Sequence, residues 1–463
     1  MHPRRSGAEC LFWLGLLALS LLASAADVGP EDTGHAKQAV ADLRVYIYPL
    51  PEHFQSLSTM PAWSVFNTNL YGAEKRIPEA LQEAGYTAKN PSSADFMIVP
   101  AYFYAINGHK AMQLEGAQVS LQRQTTNIVL DYIRTQYPYW NASLGRDHIF
   151  TLTQDQGFCG FSQFGETHDE IANSVILSHW GLMVPETPCS MEERLATFDK
   201  CHERAQVAAL EALGHRSPLN HPCFTPKKDV VVPTAAWDDL HFIPHQSKPA
   251  ADDHVRDDDP NSRVKVVEAI SAVKNHTLFF TGGVLEDQPE YSHGVRQIIY
   301  KLFKNESGFL LREKVKGIDP MGPEVMFQEM GRSHFCLAAD GFGWGVRLKL
   351  AIKLACIPLV VHDNVQVPFQ DILPYQDFAI RIPPHMIYRL PEILQTVLAD
   401  HQRVADMRSR LACAQTFFSW DASTGQAVHA LACSLLKKVH GADAVVPVLD
   451  WQQCTLQCLT PPR

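Results

Sequence analysis

Residues 335–351 read Phe335-Cys-Leu-Ala-Ala-Asp-Gly-Phe-Gly-Trp-Gly-Val-Arg-Leu-Lys-Leu-Ala, a strand-turn-helix pattern of an α/β fold. An apolar run of strand length enters a turn bearing Asp340, Gly341, Gly343 and Gly345, and a helix opens near Arg347. Glycines let a backbone approach a ligand closely and take up positive φ. A helix start offers unpaired N–H groups and the positive end of a dipole, which together favour phosphate. Arg347, in the first turn, gains nothing from that dipole, so its planar fork is read as serving a ligand with two anionic oxygens. The spacing is neither a Walker A loop nor a dinucleotide fingerprint, and a plain glycine-rich turn with a surface arginine is the competing reading.

On either side of this stretch, strand-like and helix-like runs alternate along the chain. In the first half Val45–Tyr48, Phe96–Val99, His148–Leu152, Val175–Leu177 and Val230–Val232 read as strands. Helical patterns cover Pro78–Ala84, with Gly85 just past its end, and Gln113–Tyr137. From His245 to Arg263 the texture turns polar, as in a linker. Beyond it Leu278–Phe280, His334–Ala338, Ile357–Val361 and Phe378–Ile382 read as strands, with helices at Gly294–Asn305, Arg347–Ala355 and from Leu390 to Val439. Repeated strand–helix alternation argues for parallel sheets covered on both faces. The 463 residues suit two such units. The expected boundaries are 40–243 for the first and 264–440 for the second, with a linker at 244–263 and a tail at 441–463.

The N-terminus orders Arg4 and Arg5, an uncharged run Leu11–Leu22 and Ala23-Ser-Ala25, the pattern of a secretory signal. Residues 1–26 are therefore expected to be a cleaved signal peptide or an uncleaved type II anchor, and both place the folded part in a lumen. Of 11 cysteines, Cys10 lies in that segment. The other ten can pair, with connectivity left open, and Cys336 and Cys356 read equally well as buried thiols. Sequons at Asn141, Asn275 and Asn305 are candidate glycosylation sites in such a compartment. A net charge of −10 argues against a general nucleic-acid or anionic-membrane binder.

Ser333-His-Phe-Cys-Leu-Ala through Arg347-Leu-Lys-Leu-Ala, Cys356-Ile-Pro-Leu-Val-Val, Val367-Pro-Phe-Gln-Asp-Ile-Leu and Phe378-Ala-Ile-Arg-Ile-Pro together resemble the exostosin family, glycosyltransferase family 47 of plants, algae and animals. Leu43-Arg-Val-Tyr-Ile-Tyr-Pro-Leu-Pro, Ala94-Asp-Phe-Met-Ile-Val-Pro, Gly145-Arg-Asp-His-Ile-Phe, His179-Trp-Gly-Leu, Lys228-Asp-Val-Val-Val-Pro and Leu278-Phe-Phe-Thr-Gly-Gly extend the likeness over most of the chain. The resemblance implies a GT-B-like α/β fold, two Rossmann-like doubly wound domains facing a cleft. It implies transfer of a sugar from a nucleotide diphosphate, usually UDP, with inversion and no obligatory metal cofactor. The implied acceptor is a glycan or glycoprotein in the Golgi, cell-wall polysaccharide among them, with membrane attachment only through the N-terminal segment.

Roles then follow from the chemistry. The leaving diphosphate is assigned to Arg347, the loop Asp340–Gly345 and Arg296. The nucleoside is assigned to Asp363 and Gln366, which follow a strand's C-terminal end. Many plant relatives carry glutamate where Gln366 stands, so this chain keeps hydrogen bonding there but not charge. Asp147, His148 and Asp155 are the candidates for the acceptor's base; a plain ion pair and a core histidine compete for the first two. Asp257-Asp-Asp259 mimics an acidic metal motif but sits in the polar linker, and no metal site is expected. Cys201-His202 and Cys454-Thr-Leu-Gln-Cys458 lack four zinc ligands and read as disulfide partners. The alternative function is a catalytically inactive carbohydrate-binding or scaffold subunit beside a partner transferase.

Overall fold

Apolar runs bounded by proline and glycine become the strands of two separate parallel sheets. The computed structural model describes residues 43–49, 70–103, 117–154, 157–158, 170–183, 223–238, 274–286, 291–314, 321–341, 343, 346–362, 365–441 and 444–459. Residues 1–26 expected to be a targeting segment, residues 244–263 with Asp257–Asp259, and Cys159, Cys189 and Cys201-His202 lie outside them. No helix among the described residues is long and apolar enough to cross a membrane.

The first sheet holds β1 (Val45–Ile47), β2 (Phe96–Ile98), β3 (His148–Leu152), β4 (Val175–Ser178) and β6 (Val230–Val231), side by side in chain order and all parallel. Successive strand residues face opposite sides, as period two requires. Ile98, Ile149 and Leu177 join one buried cluster, whereas Met97, Phe150 and Ile176 join another. Helix α1 (Ala73–Glu83) packs into the first cluster through Ile77 and Leu81. Helix α2 (Ala117–Gln136) packs into the second through Val129, Leu130 and Ile133. A short helix α3 (Tyr139–Ser143) follows it and buries Trp140.

Helix α1 starts five residues earlier than its sequence pattern suggested, with Pro78 inside it. Its end is as expected. Gly85 takes φ +79, Tyr86 N–H donates to Leu81 O at 2.9 Å and Gly85 N–H to Gln82 O at 3.1 Å, the paired bonds of a Schellman stop.

The second sheet contains β7 (His276–Gly282), β8 (Phe309–Glu313), β9 (Ser333–Leu337), β10 (Ile357–Val361) and β12 (Ile380–Ile382), ordered β12-β10-β9-β7-β8 and parallel throughout. Its helices include α4 (Val295–Phe303), α5 (Gly322–Gly331), α6 (Arg347–Lys353), α7 (Leu390–Ala399) and α8 (His401–Ala414). Numbered within the sheet, this order is 2-1-3-4-5, so the chain reverses direction between β7 and β9. Doubly wound sheets bind ligands at the C-terminal ends of the strands flanking such a reversal.

The C-terminal edges of the two sheets face each other. Trp180, just past β4, donates from Nε1 to Asp340 Oδ2, just past β9, at 3.1 Å. A two-stranded antiparallel ribbon of β5 (Gly181–Leu182) and β11 (Val365–Gln366) joins the sheets beside that contact. This is the GT-B-like architecture expected from the sequence. The junction is densely built: buried Lys349 and Lys353 on α6 hold the segment after β6, Lys349 through Thr234 O and the Asp238 carboxylate, Lys353 through Asp238 O. Helix α9 (Ala427–His440) returns to pack against α1 and β6. The last described residues form an antiparallel hairpin, β13 (Val446–Asp450) and β14 (Thr455–Leu459), which the sequence reading did not contain.

Cys336 and Cys356 are not thiols but a disulfide linking β9 to the start of β10 inside a buried cluster. Cys413–Cys454 and Cys433–Cys458 staple the hairpin to α8 and α9, and Cys223 is also disulfide-bonded. The prediction of disulfides in place of zinc at Cys454 and Cys458 therefore holds.

Candidate functional site

The reversal between β7 and β9 gathers the residues singled out from the sequence. Strand β7 ends in Gly282, followed by Gly283; β9 runs on to Asp340 and Gly341; α6 opens with Arg347. The Arg347 guanidinium lies 5.1 Å from the centroid of the Phe280 ring, across the end of β7. A Cβ on Gly282 would stand 2.7 Å from Arg347 Nη2, so the glycine makes room for the fork. Helix α6 has only seven residues and Val346 before it is already in the helical region. Its dipole is short, and the arginine is the stronger of the two anion-binding features.

Arg296 is at the same place but differently employed. It is 6 % exposed, not solvent-facing, and stacks 4.9 Å from the Tyr291 centroid. Nη1 donates to Gly283 O at 3.2 Å and Tyr291 Oη at 2.7 Å, and Nη2 to Ala339 O at 2.9 Å. Its fork clamps the ends of β7 and β9 together. What it offers a ligand is positive charge at the floor of the site. Gly341 lies under Tyr291, whose Oη would be 3.0 Å from any Cβ there. Gly343 accepts the Gly341 N–H at 3.1 Å; Gly345 lies outside the described residues.

Asp340 is fully buried. His362 Nε2 is 2.8 Å from Oδ1, His293 Nδ1 is 3.5 Å from Oδ2, and Ser292 Oγ donates to Oδ1 at 3.4 Å. Burial alone would push this carboxyl up. The imidazoles of His362 and His293 outweigh burial and hold it far below the usual carboxylate range.

Gln366 sits in the joining ribbon, paired with Gly181, and its Nε2 points to Met183 Sδ at 3.8 Å. A Cβ on Gly181 would come within 2.6 Å of Gln366 Cβ, so the strands close tightly there. The side chain expected to hold a nucleoside is thus placed at the joint between sheets. Asp363 lies outside the described residues.

Two of the three base candidates, Asp147 and His148, stand together and away from the second sheet. Asp147 and His148 stand at the N-terminal end of β3, the edge turned away from the other sheet, whereas Asp155 follows its C-terminal end and lies outside the described residues. His148 is fully buried, with Nε2 2.9 Å from Tyr48 Oη and Nδ1 2.6 Å from Asp147 Oδ1. Ser143 Oγ donates to the same Asp147 oxygen at 2.5 Å. Burial would raise the Asp147 carboxyl, but these two hydrogen bonds prevail and lower it. The direction of the strand puts the pair on the far side from the second sheet. A carboxylate that does stand at the facing edge is Glu74, 3 % exposed, which accepts from Thr153 Oγ1 at 3.4 Å.

A cavity of about 660 Å³ lies elsewhere, on the edge strand β12 and α7, lined by Arg381, Arg389 and Arg403 among others. Two strands separate it from the reversal point, so it is not the site built around Arg347.

The Exostosin GT47 domain model matches residues 39–397, which takes in both sheets and every residue of the reversal point. The chain belongs to the exostosin GT47 family. It is a glycosyltransferase. Among its relatives is the probable glucuronoxylan glucuronosyltransferase IRX7 of Arabidopsis thaliana, 25 % identical over 78 % of this chain and 69 % of that one. A probable glucuronosyltransferase of Oryza sativa subsp. japonica is 24 % identical over 95 % and 93 %. The probable beta-1,4-xylosyltransferase IRX10 of Arabidopsis thaliana is 23 % identical over 90 % and 85 %. A solved structure of Anabaena HepE with UDP-glucose aligns at 10 % identity and a TM-score of 0.34, over 85 % of this chain and 99 % of that one, too slight a likeness to argue from.

In this GT47 chain the sequence reading missed Trp180, Tyr291, His293 and His362. His362 directly follows β10, and the strand-end rule that drew attention to Asp363 applies to it equally. Trp180 lay within the quoted His179-Trp-Gly-Leu. His293 carried no signal, because only folding brings its turn against Asp340.

Proposed function

We propose that this glycosyltransferase moves a sugar with inversion from a UDP-linked donor to a glycan or glycoprotein acceptor in the Golgi lumen. The observation that carries the reading is the placement of Arg347 across the end of β7, at the strand reversal of the second sheet, in a chain of the GT47 family. A guanidinium held at this point meets the charge that develops on a leaving diphosphate, and such contacts dominate transfer chemistry. The relatives' names point to a donor carrying glucuronic acid or xylose and to a polysaccharide acceptor. Glu74, at the facing edge of the first sheet, is the group proposed to take the acceptor's proton. Asn141, Asn275 and Asn305 are all exposed, as lumenal glycosylation requires.

The test is a screen of UDP-glucuronic acid, UDP-xylose, UDP-galactose and UDP-arabinose against the purified secreted chain. Calorimetry with UDP runs alongside, and donor hydrolysis and transfer to xylan-type oligosaccharides are scored. Binding of UDP and turnover of one donor are expected. A folded chain that neither binds UDP nor hydrolyses any of the four would overturn the proposal.

A further inference from the structure

Three neighbouring strands of the second sheet each deliver one metal-ligating side chain to the same spot. His293 comes from the turn after β7, Asp340 follows β9 and His362 follows β10, in the spatial order β10-β9-β7. One ligand atom from each lies within 4.8 Å of the other two. The imidazole planes cross at 86° with centroids 5.4 Å apart, so the two rings approach from different directions instead of stacking. Ligand atoms on a tetrahedral ion with bonds of about 2.0–2.1 Å stand roughly 3.3 Å apart. His362 Nε2 stands 2.8 Å from Asp340 Oδ1 and His293 Nδ1 stands 3.5 Å from Oδ2, so each imidazole lies about one such spacing from its own oxygen of the carboxylate.

The surroundings are those of a built site. The side chains of Asp340 and His362 are 0 and 4 % exposed, while His293 is 17 % exposed and leaves one side open. Trp180 Nε1 and Ser292 Oγ donate to the two Asp340 oxygens and fix the carboxylate's orientation, as outer partners of metal ligands do. Ser292 and His293 both hold positive φ, 55° and 51°, an uncommon conformation for such residues that carries the imidazole toward Asp340.

We infer that His293, Asp340 and His362 form a three-ligand site for a divalent transition-metal ion of the zinc class, with an open coordination position, at the strand reversal beside Arg347. Two imidazoles and one carboxylate suit zinc and its neighbours better than magnesium or calcium, which prefer oxygen alone. Three protein ligands leave a place for water or for an anionic oxygen of a ligand. The inference rests on the cluster's geometry and stands apart from the identity of the sugar donor. It departs from the expectation, drawn from family resemblance, of a reaction with no obligatory metal.

The experiment uses the secreted full chain, stripped with a chelator and reloaded with zinc or cobalt(II) under competition from a chromophoric chelator. One equivalent should bind per chain, and the cobalt form should show the visible absorption of a four-coordinate site. His293→Gln and His362→Ala should each weaken zinc at least tenfold and abolish that absorption. Trp180→Phe, which removes only the orienting N–H, should weaken zinc about tenfold. His401→Ala, on an exposed helix start, should change nothing. Thermal unfolding accompanies every variant; should His362→Ala fail to fold, His293→Gln in the half-open turn decides. A folded wild type that retains no metal overturns the inference, as does zinc binding that is undiminished in folded His293→Gln.

Discussion

Replacing Gly282 by alanine tests the Arg347 assignment without removing its charge. The new Cβ would lie 2.7 Å from Arg347 Nη2 and 3.1 Å from its Cζ, against an ordinary contact of 3.4 Å or more. The guanidinium must retreat by about 0.7 Å, which a long side chain can do at little cost to the fold. Gly282 has no left-handed φ, and alanine in a strand recovers roughly 0.5–1 kcal/mol of backbone entropy, offset by a tight contact of 3.0 Å with the Phe280 ring. The thermal midpoint should therefore stay within about 3 °C of wild type. Misplacing a positioning group by about 1 Å costs up to roughly 100-fold in rate, so transfer should fall by about 10- to 100-fold and UDP affinity should weaken with it. Arg347→Ala, losing about 2–4 kcal/mol of charge stabilisation, should fall by roughly 30- to 1000-fold, and Arg347→Lys should recover only part. The decisive measurement is the double-mutant cycle. Gly282→Ala should cost almost nothing further in an Arg347→Ala background. Wild-type UDP affinity in Gly282→Ala, or an equal loss whether or not Arg347 is present, would refute the reasoning.

Two further outcomes are expected. His179 is buried, and burial pushes its imidazole down from 6.5 to about 4; the Val232 carbonyl bond opposes the shift and nearby Lys349 reinforces it. The folded chain keeps it neutral while the unfolded chain takes up a proton below 6.5, so its contribution is intact above pH 6.5 and is lost as pH falls toward 4. The full difference is worth about 3 kcal/mol, and chemical denaturation across that range should show a flatter profile for His179→Gln; an identical profile would dismiss the assignment. Asp147→Asn should cost about 1 kcal/mol of stability, discounted for its partial exposure, and leave the transfer rate per folded molecule unchanged, whereas Glu74→Gln should abolish transfer. The reverse pattern would restore Asp147 as the base.

Elements with strong local signals were legible one by one. His148–Leu152 and Ile357–Val361 were read with the bounds they have in the structure, because short runs rich in β-branched and aromatic residues that give way to polar ones leave little choice. The left-handed stop at Gly85 was readable for the same reason, since glycine alone takes that φ without cost. The β5–β11 ribbon was not, because two-residue strands carry no period and exist only through each other. Helix α1 was cut short at Pro78 by a rule that favours proline in the first turn, and packing of Ile77 and Leu81 overrode it.

The amino-acid order by itself determined the two parallel α/β units, the glycine-rich turn into Arg347 and the membership of a transferase family, since these depend on neighbours a few residues apart. Tertiary structure decided which strand ends meet. It turned Asp147 and His148 to the far edge, spent the Arg296 fork on carbonyl groups, paired Cys336 with Cys356, and brought His293 and His362 to Asp340 from 47 and 22 positions away in the chain. Strand direction and sheet order set those meetings. They are properties of the assembled sheets, and no window of sequence as short as a motif contains them.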